Sequence, residues 1–383
     1  MWTSVLAPSA PLCVLCGSSR SYGHMKLRLI RLQQFRNIAA AELAFPGDRT
    51  FFLGANGQGK TNLLEAIGYV SALRAFRPGD NRTLIAQGQT EAAIAYRFEH
   101  EHLGESEVIT RIQPRGKEAV FDGSPVRRLA DFIGRFPTVL FASEDIQLVR
   151  GGPALRRRWL DLHLASIDPG YLADLQAYHR TLDARNRLLK ESAGAAELTA
   201  FERELAPAAF RVVERRRAGV ERLARLVAEL YGALSGGAEP GAVAYAADTA
   251  LKSPDDYRTL LERARPRDVQ LRSTQHGPHR DDLQLEVAGR EAALFASEGQ
   301  QRALVLALRF AQLRDARAVS GIAPLVLADD VLGELDPTRR ARFWRVMEPD
   351  LQLFATGTTA PDSAGDGWTL VNVSGGRFEA DAE

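Results

Sequence analysis

The stretch Gly54-Ala55-Asn56-Gly57-Gln58-Gly59-Lys60-Thr61 places a glycine, four residues, and then Gly-Lys-Thr. That spacing suits a loop that cradles a polyphosphate. Glycines let backbone N–H groups turn inward around an anion, and a helix starting at the loop's end adds its positive pole. On this reading Lys60 reaches the β- and γ-phosphates and the Thr61 hydroxyl joins a Mg²⁺ shell. The plainer reading is a chance Gly-rich turn. Context argues against it: an apolar run, Thr50 to Leu53, leads in, and a helix-like run, Asn62 to Ala75, leads out. Lysine, moreover, occurs only at Lys26, Lys60, Lys117, Lys190 and Lys252, with arginine used everywhere else. A planar guanidinium does not replace a compact ammonium inside such a loop.

The complementary half of a nucleotide site lies far downstream. Pro324-Leu325-Val326-Leu327-Ala328-Asp329-Asp330 reads as a buried strand ending in two carboxylates. Asp329 is placed to hold Mg²⁺, directly or through water, and Asp330 to orient or deprotonate the attacking water. Leu332-Gly333-Glu334-Leu335-Asp336-Pro337 follows as a tight turn closed by proline. Before the strand, Ala296-Ser297-Glu298-Gly299-Gln300-Gln301-Arg302 opens a helix running to Ala318, with Ser297 as its N-cap. That N-terminus is a second anion site. One chain rarely needs two helix-end grips for one γ-phosphate, whereas two facing subunits do.

The elements that must carry these residues follow from length and periodicity. At 383 residues the chain suggests two lobes. Its 45% hydrophobic and 25% charged residues are those of an ordinary globular protein, and a net charge of +1 gives no global case for nucleic acid. Cys13 and Cys16 are the only cysteines, so no disulfide framework supports the fold, which fits a reducing cytosol. Residues 1–24 show no secondary-structure period and read as a disordered tail or a mis-assigned start. No later run is long enough to span a membrane.

Alternation marks strands at Lys26–Leu32, Ala39–Phe45, Arg49–Leu53, Ala92–Glu99, Glu107–Gln113 and Glu118–Asp122, a β-rich lobe around the loop. Arg36, in the turn Gln34-Phe35-Arg36-Asn37, reads equally as a nucleotide neighbour or a surface turn residue. Pro137–Phe141 is a short buried strand. Arg156-Arg157-Arg158 opens a helix and reads as a phosphate patch or, more commonly, a solvated face. From Tyr171 to Leu234 helical periodicity is almost continuous. Interruptions at Ser192-Ala193-Gly194 and Pro207 suggest two long helices packed as a hairpin, the second made basic by Arg211, Arg215, Arg216, Arg217, Arg222 and Arg225. Val243–Ala247 reads as a strand and Asp255–Arg265 as a short helix. His276 and His279, without a third ligand, read as structural or interface residues rather than a metal pair. Asp281 and Asp282 read as a polar loop.

Taken together, the Ser-x-Gly-Gln-Gln-Arg helix start, the Asp-Asp strand end and the Glu-Leu-Asp turn resemble the signature, Walker B and D-loop of ABC-type ATPase heads, in that family's order. Gln34-Phe35-Arg36-Asn37, Gly277-Pro278-His279-Arg280-Asp281-Asp282 and a short helical arm make the chain similar to the RecF family of bacterial recombination mediators, over Met25 to Thr359.

The resemblance implies an α/β fold: a mixed-sheet ATPase lobe, residues 25–140 and 270–383, plus a mostly helical lobe with a short antiparallel arm, 141–269. It implies a cytoplasmic ATPase binding ATP and Mg²⁺, with Lys60 and Asp330 catalytic and Thr61 and Asp329 on the metal. Gly54, Ala55, Asn56, Gly57, Gln58, Gly59, Lys60, Thr61 and Arg36 would contact nucleotide, joined by Ser297, Gly299 and Gln300 from a second copy. It also implies an ATP-dependent homodimer clamping gapped DNA, double- and single-stranded, with RecR and RecO as partners. Candidate DNA contacts lie on the arginine-rich helices. Thr356-Gly357-Thr358 stands where many ABC ATPases carry a switch histidine, and Glu144 and Asp145 are the nearest glutamine-loop candidates. The rival readings are a transporter ATP-binding subunit and a purely structural DNA-binding protein with a dead ATPase.

Overall fold

The computed structural model describes residues 23–77, 79–191, 194–237, 239–361 and 367–380. The expected tail, with Cys13 and Cys16, lies almost wholly outside the described residues. Gly23 is already tied in: its N–H donates to the Gly321 carbonyl, and its own carbonyl accepts from Ala323.

The chain is an α/β protein organised on one central sheet. Its six strands run in the order Arg377–Ala380, Trp368–Ser374, Arg49–Leu53, Leu353–Gly357, Leu325–Asp329, Thr138–Ala142. Every pairing is parallel except the hairpin between Arg377–Ala380 and Trp368–Ser374. Parallel strands covered on both faces read as continuous apolar runs, as Phe51-Phe52 and Leu325-Val326-Leu327-Ala328 do.

The period of two then assigns each residue to a core. Phe52, Leu325, Leu327 and Phe354 face one core, shared with Leu63, Leu64 and Ile67 of the Lys60–Tyr69 helix and with the antiparallel sheet. Phe51, Val326, Ala328, Leu353 and Ala355 face the other, shared with the helical lobe. That antiparallel sheet has the order Ile38–Ala44, Met25–Phe35, Ala92–His100, Gly104–Gln113, Gly116–Phe121, Ser124–Pro125.

The expected hairpin of long helices is formed by Pro169–Lys190 and Ala195–Ser235. Pro207 does not interrupt the second helix, which runs straight through it. An interior proline costs about 3 kcal/mol. Burial of Leu205, Ala206, Ala208, Ala209, Val212 and Val213 on either side offsets that cost. Pro266 is carried the same way inside Pro254–Leu271, a helix longer than the expected Asp255–Arg265. The helix after the phosphate loop is shorter than expected, ending at Tyr69 rather than Ala75. There the Ser71 hydroxyl donates to the Gly68 carbonyl, and Leu73 takes a left-handed φ of 47°.

Helix Pro254–Leu271 crosses the boundary drawn at 269/270, and strand Asp282–Val287 pairs with Gly241–Ala246 in a small three-stranded sheet packed on the arm. The arm and small sheet are joined through buried charge. Arg185, fully buried, donates to Glu202 at 2.9 Å and Asp268 at 2.8 Å. Arg216 donates to Asp161 and, at 3.0 Å, to Asp281.

Asp281 is therefore no polar loop residue. It is 2% exposed and also accepts from the Tyr245 hydroxyl and the Asp248 N–H. Asp282 takes a bidentate grip from Arg156, at 2.7 and 2.8 Å, and Arg157 donates to the Asp281 carbonyl. Most of the basic face expected for the arm is internally neutralised. Arg211 and Arg215 pair with Asp174, Arg217 with Glu214, and Arg222 with Asp315.

Candidate nucleotide site

The loop between strand Arg49–Leu53 and helix Lys60–Tyr69 is held open by its neighbours. Gly59 has φ 112°, and a Cβ there would lie 2.9 Å from the Asn37 side chain, so only glycine fits. Asn37 Nδ2 donates to the Gln58 carbonyl, while Asn62 Nδ2 donates to Asn37 Oδ1 at 2.7 Å. On the other side the hairpin turn Gly375-Gly376 donates its two N–H groups to Gln58 Oε1 and the Gln58 carbonyl, each at 2.8 Å. Sequence reading missed this brace. Its signal was the Gly-Gly pair between two strand-like runs.

Lys60 is 4% exposed, and its ammonium donates to the carbonyls of Gly54 at 2.8 Å and Ala55 at 3.1 Å. A compact point charge at the centre of the loop is the donor a bridging phosphate requires. Arg36, for which two readings stood open, is turned to neither solvent nor the loop. It grips the fully buried Glu65 of the Lys60–Tyr69 helix at 2.8 and 3.2 Å, and Arg77 holds the same carboxylate. The turn Arg36-Asn37 is thereby locked to the helix that the loop leads into.

The downstream carboxylates arrive by strand register. Asp329 has the parity of Leu325 and Leu327, so it points to the face covered by the Lys60–Tyr69 helix. Thr356, with the parity of Phe354, points to the same face from the neighbouring strand. The Thr61 and Thr356 hydroxyls both donate to Asp329 Oδ1, each at 2.9 Å, and the Asp330 N–H donates to Thr356 Oγ1 at 2.9 Å. Burial raises the Asp329 carboxyl above the usual carboxylate range, against the pull of these two hydroxyls; the charges of Asp330 and Glu144 push the same way as burial. Both hydroxyls fall on Oδ1, which leaves Oδ2 for a hard cation, and the donor set is oxygen throughout, as Mg²⁺ prefers.

Asp330 takes a left-handed φ of 54° and turns away to a separate polar cleft of about 630 Å³. Asn56, Glu334, Thr356 and Thr358 also line that cleft. Of the glutamine-loop candidates, Asp145 is committed elsewhere: it accepts from Arg309 at 2.8 Å and from the Ala142 N–H at 2.9 Å. Glu144 instead lines a cavity with Thr61 and Asp329, and so does Gln147, which sequence reading passed over although it follows a buried strand end.

The helix start expected to be a second anion site stands apart. Ser297 caps the Glu298–Ser320 helix: its hydroxyl accepts from the Gln300 N–H at 3.3 Å, and Gln300 Oε1 accepts from the Ser297 N–H at 2.7 Å. Gln300 Nε2 donates to Glu239. A Cβ on Gly299 would lie 1.9 Å from the Arg339 guanidinium, which pairs with Asp336. Arg302 bridges Glu298 and Glu334. Ser297, Gly299 and Gln300 thus contact one another, the turn at Glu334–Arg339 and Glu239. Among the described residues, none of their hydrogen bonds reaches the Gly54–Thr61 loop.

His276 and His279 do not form a metal pair. His279 Nδ1 meets the Tyr178 hydroxyl at 2.6 Å and its Nε2 the Thr274 carbonyl at 3.0 Å, so both nitrogens are taken. Among the described residues no His, Cys, Asp and Glu cluster suits a metal, and no helix is long and apolar enough to cross a membrane.

Comparison with known proteins adds to this geometry. Residues 26–360 match the family model of the RecF/RecN/SMC N terminal domain. The chain is 35% identical over 373 residues to the DNA replication and repair protein RecF of Synechococcus sp. (strain JA-2-3B'a(2-13)), covering 92% of this chain and 97% of that one. It is 38% identical over 345 residues to RecF of Geobacter sp. (strain M21), covering 88% and 93%. Among solved structures, the recombination mediator protein RecF-ATP in the RecFOR pathway superposes with a TM-score of 0.88 at 28% identity, over 96% of this chain and all of that one. An Smc head domain from Pyrococcus furiosus, at 19% identity and a TM-score of 0.52, shares the fold.

Proposed function

The chain belongs to the RecF/RecN/SMC N-terminal domain family, and within it to the RecF proteins of DNA replication and repair. From that premise we propose that it is an ATP-dependent DNA clamp of recombinational repair. In this clamp each nucleotide is held between the Gly54–Thr61 loop of one copy and the Ser297 helix start of another.

The observation that supports this reading is the separation, within one chain, of the Lys60–Thr61–Asp329 corner from the Ser297-capped helix start. Lys60 and the loop N–H groups bind the β- and γ-phosphates, and Thr61 and Asp329 hold Mg²⁺. The bound cation supplies charge neutralisation at the phosphate oxygens. Asp330 orients and deprotonates the attacking water from the polar cleft, and Thr356 fixes its backbone. The Ser297 hydroxyl and the N–H groups at Gly299 and Gln300 close on the γ-phosphate in trans. Arg36 contributes by holding Glu65 and the loop-bearing helix rather than by touching nucleotide.

ATP binding drives dimerisation around DNA next to single-stranded gaps, and slow hydrolysis releases it. RecR- and RecO-type mediators are the partners that help load recombinase. The RecF-ATP relative supports the nucleotide, and the RecFOR name borne by that relative supports the mediators. The family supports the repair role, whereas no observation favours a transporter subunit. ATP hydrolysis measured with and without gapped duplex tests the proposal. Stimulation by DNA, lost in Lys60→Arg, is expected. Hydrolysis indifferent to DNA removes the clamp.

A further inference from the structure

The nucleotide reading uses only Thr61 and Asp329 among the residues that line a cavity of about 520 Å³ where the two lobes meet. Glu144 stands in the same lining. Apolar surface is contributed by Phe76, Leu155 and Trp159, and Leu155 is 41% exposed. Four arginines stand in the wall, and they differ in kind. Arg77 pairs with Glu65, a carboxylate it shares with Arg36, and Arg309 pairs with Asp145. The guanidinium groups of Arg74 and Arg158 have no hydrogen bond or ion pair among the described residues.

Half-buried guanidiniums such as Arg36, Arg156, Arg215 and Arg222 are matched by carboxylates; half-buried Arg158 is not, and Arg74 in the same wall is exposed. Both stand in the wall of one cavity, near enough for the charge of Arg74 to act on Arg158. Burial first, and then the charge of Arg74, hold the Arg158 guanidinium below its usual value. The Lys117 ammonium is lowered by the same two causes in the same order. Unmatched positive charge beside apolar surface, in a cavity within the 300–1,000 Å³ range of small-molecule sites, calls for an amphipathic anion.

We propose that this cavity binds a small organic anion, its apolar body against Phe76, Leu155 and Trp159 and its carboxylate, sulfonate or phosphate head between Arg74 and Arg158. Because Thr61 and Asp329 also line this cavity, its occupant borders the expected Mg²⁺ corner.

The test is a fluorescence titration of the full chain, free of nucleotide, with 8-anilino-1-naphthalenesulfonate and separately with N-phenyl-1-naphthylamine, the same ring body without the sulfonate. Saturable one-to-one binding of the sulfonate is expected. Either Arg74→Gln or Arg158→Gln should weaken it about tenfold, and the double variant should abolish it, with the melting temperature unchanged. Arg158→Lys, which keeps the charge, should retain most of it. The uncharged amine should bind more weakly and ignore both arginines. Equal affinity of the sulfonate for wild type and double variant, equal affinity of sulfonate and amine, or no saturable binding at all overturns the proposal.

Discussion

The Thr61 hydroxyl lies 2.9 Å from Asp329 Oδ1, joining residues 268 apart in sequence. Neither residue reaches the other by its own backbone. The contact exists because the parallel strand Leu325–Asp329 ends where the Lys60–Tyr69 helix begins, and because alternation turns Asp329 toward that helix. Thr356, on the strand between Arg49–Leu53 and Leu325–Asp329, completes the arrangement by linking the two carboxylate positions.

Thr356 is 1% exposed, so its hydroxyl has no solvent substitute. Thr356→Val leaves the Asp330 N–H without its acceptor and removes one donor from Asp329. A hydrogen bond to a charged group is worth about 1.5–3 kcal/mol. If that support is spent in the transition state, hydrolysis falls by about 10- to 100-fold. Thr356→Ser keeps the hydroxyl and should stay within about threefold. Single-turnover ATP hydrolysis of both variants measures this, and equal rates for valine and serine contradict it.

The arm's buried charges are structural. Arg185→Met removes the cation between two fully buried carboxylates, Glu202 and Asp268, and should cost about 3–5 kcal/mol in denaturant unfolding. Arg217→Ala, on an exposed i,i+3 pair with Glu214, should change stability by no more than about 0.5 kcal/mol. Similar losses for the two variants would sink this assignment.

DNA contact through phosphate charge gives an affinity that falls steeply with salt, by ~10³-fold between 50 and 200 mM for six or more contacts. Arg222 already spends its charge on Asp315. Arg222→Gln should therefore leave the slope of log K against log salt unchanged when gapped duplex is titrated. A slope reduced by about one unit would place Arg222 on DNA.

His279 gives the fold a dependence on acid. Burial lowers its pKa from the ordinary value near 6.5, against the raising effect of its bond to the Thr274 carbonyl. The unfolded chain therefore takes up this proton more readily than the folded one. The contribution is full above pH ~6.5 and is lost as pH falls toward the lowered folded value. Melting temperature measured across this window should drop on the acid side for wild type and drop less for His279→Gln. A steeper drop for the variant reverses the sign.

Much of this was legible from local pattern. Glycine spacing, the apolar strand ending in Asp329-Asp330, and the Ser297 cap each announce themselves within about ten residues, and so did the paired long helices. What escaped depends on partners distant in sequence. Arg36 was ambiguous until Glu65 and Arg77 stood beside it. Asp281 passed for a loop residue because its partners, Arg216 and Tyr245, come from the arm and the small sheet. The arginine-rich arm looked like a DNA face because sequence shows charge but not its neutralisation. Pro207 looked like a break because the burial that offsets its cost is tertiary.

The central claim is that one copy's loop and another copy's Ser297 helix share a triphosphate. With Cys13 and Cys16 replaced by serine, Asn56→Cys in one population and Ser297→Cys in a second can be mixed and treated with a short bis-maleimide, in an Asp330→Asn background that slows turnover. A cross-linked species of twice the chain mass, formed with ATP and Mg²⁺ and absent with ADP, is the predicted result. No dimeric cross-link with ATP, or one that forms equally without nucleotide, contradicts the account.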